Sequence, residues 1–182
     1  MTRIEILKRE DMNAAQGEVY DEAQANGGPV GGPYYAYIRI PELMRRSQNL
    51  RACLHSGPLS GRERQIINLV VARHWGAKYP WFAQARGALA VGLEQEIIDA
   101  INVNETPQLG DPREQAVYTL ARELLAERFL SDATYAAAEA SLGLEDLVAA
   151  VANVGQFGMT CCTANAFEID PPDDAPIPLA DL

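Results

Sequence analysis

The stretch Ser60-Gly61-Arg62-Glu63-Arg64-Gln65-Ile66-Ile67-Asn68-Leu69-Val70-Val71-Ala72-Arg73-His74-Trp75 decides the fold class. Ser60 precedes Glu63 by three residues, the spacing at which a serine and a glutamate reciprocally satisfy the free amides that open a helix. Beyond that cap, Ile66, Ile67, Leu69, Val70, Val71 and Ala72 cover nearly every side. A helix apolar all round belongs inside a core, with other elements packed around it. Gln65 and Asn68 interrupt the apolar surface three residues apart and so share a face. Each amide either bonds a neighbouring backbone group or lines a polar cavity where a ligand completes its hydrogen bonds.

Outward from this helix the chain reads as further helices divided by glycine and proline. A first helix, Asp11 to Asn26, stops at Gly27-Gly28-Pro29, so residues 1–33 form an N-terminal helix and a Gly/Pro loop. Pro41 suits the first turn of a helix that carries Leu43, Met44 and Leu50 to about His55. Downstream, Pro80 marks a new helix that ends at Gly92, and Leu93–Ile101 is a short one. Asp111-Pro112 is the cap and first-turn proline of another helix, with Ala116, Leu120, Leu124 and Leu125 on one face. Ser131 or Asp132 opens the next helix, which ends at Gly143, and a long final helix closes the fold. Residues 171–182 read as an extended acidic tail that adds little cover. Only Tyr35–Ile40 alternates with the period of a strand. The expectation is one all-α domain over residues 1–182.

Length and charge narrow the partners. A chain of 182 residues fits one domain. Its 15 Lys and Arg against 25 Asp and Glu give a formal charge of −10. Nucleic-acid affinity rests on clustered cations that displace counterions, so this balance argues against a nucleic-acid partner and against an anionic membrane surface. Three cysteines, two of them adjacent at Cys161-Cys162, suit no disulfide framework, and no Cys/His array has metal-ligand spacing. Neither a metal nor another cofactor is expected. The N-terminal residues lack an apolar signal segment, and the expected location is cytoplasmic.

The final helix raises the membrane question by itself, because no residue from Leu147 to Phe167 carries a formal charge. Asn153, Gln156, Thr160, Thr163 and Asn165 recur through it, and hydrocarbon would leave those groups poorly satisfied. A helix buried in protein accounts for them better. A second subunit approaching at Gly155 and Gly158 would supply cover, so a homo-oligomer is expected.

Chemistry-bearing residues concentrate in Lys78-Tyr79-Pro80-Trp81-Phe82-Ala83-Gln84-Ala85-Arg86. Trp81, Gln84, Ala85 and Ala88 share one helical face there. The histidines are His55, before a Gly-Pro turn, and His74, near the end of the core helix where a cation also suits the dipole.

Arg62, the run Ile66–Ala72, Tyr79, Trp81, Arg86, Ala88 and Gly92-Leu93 resemble the core pattern of the carboxymuconolactone decarboxylase family. Gly32-Pro33 and Ile40-Pro41-Glu42-Leu43 resemble its approach to the second helix. The resemblance implies an alkylhydroperoxidase-like helical bundle that assembles as trimers or hexamers. It also implies a lyase or isomerase of the decarboxylase or lactone type, with a small-molecule ligand in a polar pocket. On this reading Tyr79, Trp81, Gln84, Gln65, Arg62 and Arg86 bind the substrate, and Gln65, Gln84 and His74 are the catalytic candidates.

The sequence departs from the family at chemically decisive places. Gln65 stands where the family often has glutamate, Pro80 where it has glutamate, and Gln84 where it has histidine. The cysteine pair of the peroxide-reducing relatives would fall near Ala77 and Pro80. A frequent tyrosine pair is replaced by Gln156-Phe157. Glutamine exchanges no proton near neutral pH, so positions 65 and 84 can bind and orient only. A non-catalytic ligand-binding or assembly protein is the alternative. A thiol-dependent, peroxiredoxin-like peroxidase is the least expected, for want of a thiolate pair.

Overall fold

The computed structural model describes residues 2–181. Asn13 caps α1 (Ala14–Ala25) through a reciprocal pair with Gln16, at 3.0 Å in each direction. A helical turn, α2 (Tyr34–Tyr37), leads into α3 (Pro41–His55). The Ser60 cap forms as its spacing requires. Ser60 Oγ accepts from the Glu63 amide at 3.1 Å, and Glu63 Oε2 accepts from the Ser60 amide at 2.7 Å, opening α4 (Gly61–His74). Then come α5 (Lys78–Ala90), α6 (Gln95–Asn102) and α7 (Pro112–Glu127), the last capped by Asp111. Ser131 caps α8 (Asp132–Leu142), and α9 (Leu144–Ala166) is the longest helix.

The apolar girth of α4 makes it the hub, packed against α5, α6, α7 and α9. Ile66, Ile67, Leu69, Val71 and Ala72 have no exposed surface. Burial of each large aliphatic side chain contributes roughly 1.5–3 kcal/mol, so this one helix dominates the core. A second, smaller cluster of Val19, Ala23, Tyr34, Tyr37, Ile38 and Met44 holds α1, α2 and α3 together. Tyr37 ties it to α9, its hydroxyl 3.1 Å from Thr163 Oγ1.

Three expectations change. Tyr35–Ile40 is no strand: residues 34–37 are helical, because Tyr34 and Tyr37 bury on one side at helical spacing. The fifth helix begins at Lys78, and Pro80 sits inside its first turn, where a missing N–H costs nothing. The C-terminal segment is a strap that packs on the core. Ile177 and Leu179 lie against the main cluster. Trp81 Nε1 donates to Ile177 O at 3.1 Å, Asn102 Nδ2 to Pro178 O at 3.0 Å, and the Ala180 amide returns to Asn102 Oδ1 at 2.9 Å. The acidic side chains of the segment misled, because its backbone and aliphatic residues make these contacts.

By length and composition α9 is apolar enough to cross a membrane. In this fold its Leu147, Ala150, Asn153, Val154, Phe157, Cys161 and Ala164 are buried against the bundle. Leu144 and Val148 face outward, each 60% exposed.

Candidate functional site

The two polar interruptions of α4 open onto a cavity of about 350 Å³ between α3, α4, α5, α9 and the Gly/Pro loop. Its floor is a chain of amides. Asn153 Nδ2 of α9 donates to Asn68 Oδ1 at 3.0 Å, and Asn68 Nδ2 donates to Gln84 Oε1 of α5 at 3.0 Å. Each bond fixes the orientation of the next amide, so three helices present one ordered polar surface. Gln65 stands beside this relay with its Oε1 buried and without a hydrogen-bond partner.

Close backbone approach shapes the walls. The Tyr79 ring lies against Gly32, whose φ is +64°; a Cβ there would stand 2.2 Å from Tyr79 Cε1. Only glycine meets both the left-handed backbone and that contact. On the opposite side of Gln65, Gly87 leaves room for the Gln65 amide, since a Cβ would come within 2.7 Å of Nε2.

The mouth is basic. Arg51 and His55, one turn apart on α3, both line it, and Arg51 makes no ion pair among the described residues. Partial burial, then the Arg51 and Arg64 guanidiniums, push the His55 pKa down to about 4, although its ring keeps an exposed side. Burial pushes the Tyr34 hydroxyl up to about 12, against the pull of Arg51. Tyr79 is raised by burial and by Tyr35.

The structure therefore brings together Gln65, Gln84 and Tyr79 and leaves the other candidates elsewhere. Trp81 is fully buried behind the cavity and spends its N–H on the C-terminal strap. Arg62 is held by Glu114 at 2.5 Å and Glu94 at 2.8 Å at the start of α4. Arg86 is exposed, 5.4 Å over the Phe82 ring. His74 lies in a separate recess with Arg73 and Arg122, its pKa lowered by burial and then by Arg122. Arg51, Asn153 and Thr160 were missed. The signal for Arg51 was its one-turn spacing from His55 on the same helix.

No group of three or more His, Cys, Asp or Glu side chains suited to a metal occurs among the described residues. The thiols also stand apart from the cavity. Cys161 is buried and its thiol is pushed up by burial, while Cys53 and Cys162 are exposed.

The segment from the start of α3 into α7, residues 41–123, matches the profile of the carboxymuconolactone decarboxylase family. This segment belongs to that family. It supplies α4, α5 and the basic end of α3, while Asn153 comes from the helix beyond it. The whole fold is similar to the alkylhydroperoxidase core of an uncharacterized peroxidase-related protein from Ralstonia eutropha, with a TM-score of 0.77 at 18% identity over 97% of each chain. It is equally similar to an uncharacterized peroxidase-related protein from Silicibacter, with a TM-score of 0.77 at 18% identity, covering 96% of this chain and 93% of that one. At such identity these two share the fold. No curated protein matches the sequence.

Proposed function

We propose that this member of the carboxymuconolactone decarboxylase family binds a small organic acid, lactone or ring compound in the amide-floored cavity. The observation that carries the reading is Gln65 Oε1, an acceptor buried in the cavity wall without a partner. A buried unpaired polar atom costs about 1–3 kcal/mol, and a ligand N–H or O–H would recover it. The volume suits a monocyclic ligand, near the lower end of typical ligand pockets.

The chemistry of the floor favours orientation over proton transfer. Gln65, Asn68, Gln84 and Asn153 are neutral amides and relay no proton. A decarboxylase or lactone-type reaction here would run by polarising a carbonyl with amide N–H donors. The non-catalytic reading draws on the same four amides. A thiol peroxidase lacks support from the geometry, because no cysteine lines the cavity and the buried Cys161 thiol is held protonated.

The test is to titrate the protein with monocyclic lactones, ring acids and their esters while following thermal midpoint and heat of binding. Ligands raise the midpoint of the parent, and Ala83→Trp, which fills the cavity, abolishes the rise without lowering the unliganded midpoint by more than a few degrees. A panel that leaves the parent unmoved throughout rejects the cavity as a ligand site. Turnover is read in the same titrations from the loss of starting compound.

A further inference from the structure

The basic mouth of the cavity points to the charge of the ligand, an inference that rests on the ligand-binding reading of this cavity. Arg51 lines the cavity and has no carboxylate partner, in a chain whose acidic residues outnumber its basic ones by 25 to 15. Several arginines find acids: Arg45 meets Glu18, Glu22 and Glu42, Arg62 meets Glu94 and Glu114, and Arg113 meets Glu63 and Asp146. Arg51 is set apart from the other arginines without an ion pair by its place on the amide-floored cavity. No Asp or Glu lines this cavity. A guanidinium at the mouth of a ligand-sized cavity, unclaimed by the chain's own carboxylates, is a ready partner for an external one.

We propose that the ligand is a small organic acid whose anionic group pairs with Arg51 while an O–H or N–H at its other end donates to Gln65 Oε1, and that binding draws a proton onto His55. The second half follows from the charges that face His55. On its own helix it faces Arg51; from α4 comes Arg64, whose guanidinium donates to Leu59 O. Arg64 in turn feels Glu63. The tyrosines Tyr34 of α2 and Tyr79 of α5 complete the titratable lining and stay neutral, and α9 offers only Asn153, Gln156 and Thr160. With the mouth empty, two cations oppose a charge on His55. An anion on Arg51 offsets that opposition, so the imidazole binds a proton more readily in the complex.

The sign of the linkage is fixed. His55 has a pKa of about 4 in the free protein and a higher one in the complex. Affinity is therefore greatest at low pH and weakens as pH rises from about 4 to the bound-state value, by at most about tenfold per unit, and is flat above it.

The probe is 4-hydroxybenzenesulfonate, whose acid group stays ionised throughout that range, beside 4-hydroxybenzoate, benzoate and methyl 4-hydroxybenzoate. Calorimetry at pH 5 in two buffers of different ionisation enthalpy reads the proton taken up. The expected results are binding of both hydroxylated acids, at least about tenfold weaker binding of the ester and of benzoate, and, with the sulfonate, a net proton uptake. Arg51→Gln loses at least about tenfold in affinity for the acids, and Arg51→Lys recovers part of it. His55→Gln still binds but takes up no proton and shows a flat pH profile. An ester that binds as tightly as its acid, with Arg51→Gln unaffected, overturns the anion assignment and leaves the cavity reading standing. Uptake that persists in His55→Gln overturns the proton assignment. Silence of the acids and the ester alike overturns both readings together. Circular dichroism of each variant confirms the fold, and the comparison of acid with ester on the parent protein carries the test should the Gln variant unfold.

Discussion

At its N-terminal end α4 meets charge with charge. Glu63, only 5% exposed, is paired to Arg113 at 2.7 Å, and Arg113 also holds Asp146 at 2.6 Å, while Arg62 holds the buried Glu114. On the face toward α5 and α9, the same helix meets amide with amide, and leaves one acceptor and one nearby guanidinium without partners. The first region is saturated and has nothing left to offer a ligand. The second is ordered but incomplete. Both are polar insertions in one apolar helix, so polarity alone does not mark a site; an unmet hydrogen-bonding or charge requirement does.

The largest expected difference between the regions is in stability. Arg113→Met keeps the aliphatic stem and removes the guanidinium, leaving Glu63 and Asp146 without their ion-pair partner. Removing one partner of a buried pair costs about 3–5 kcal/mol; Arg113 itself is about a third exposed, so solvent softens the loss to about 2–4 kcal/mol. Urea unfolding reads this, and cavity-ligand affinity should stay within about twofold of the parent once folded protein is compared. A large loss of affinity with little loss of stability would merge the two regions into one site.

Next in size is the centre of the amide relay. Asn68→Leu keeps the branched shape at a larger volume and strands both Asn153 Nδ2 and Gln84 Oε1, at a cost of about 1–3 kcal/mol. Adding Asn153→Leu replaces both members of the buried pair by apolar groups and should restore much of that stability. Ligand binding should be lost in both variants. Recovery of binding together with stability would mean that the amides merely hold the bundle, as the ion pairs do at the other end.

How far the sequence discloses each region depends on the range of the interactions involved. The α4 core and its Ser60–Glu63 cap were legible because they rest on periodicity and a three-residue spacing. Gln65 and Gln84 were legible as polar breaks in apolar faces. That Asn153 joins them was not, since an 85-residue separation leaves no local mark. Arg62 and Arg51 show the harder limit. Both are arginines on helices, and only the folded chain reveals that Glu114 and Glu94 claim the first while no acid claims the second. His74 and Trp81 were plausible by residue type; one lies in another recess and the other faces the C-terminal strap. That strap was misread because its acidic side chains drew the eye while its backbone carbonyls made the bonds.

The smallest expected effect separates the regions most finely. Gly87 lies inside α5, where exchange for alanine ordinarily gains about 0.5–1 kcal/mol by restricting the unfolded chain and favouring the helix. Here the new Cβ would stand 2.7 Å from Gln65 Nε2, so the amide must move. The atom that moves is the end of a flexible side chain, and the two effects should leave net stability within about 1 kcal/mol of the parent. Ligand affinity should nevertheless fall several-fold, because the unpartnered Oε1 swings away from the position that the ligand donor meets. A variant that gains stability and binds as before would show that Gln65 takes no part in recognition. In that event its orphaned oxygen is a cost that the fold tolerates, and recognition falls to the Asn153–Asn68–Gln84 relay and Arg51 alone.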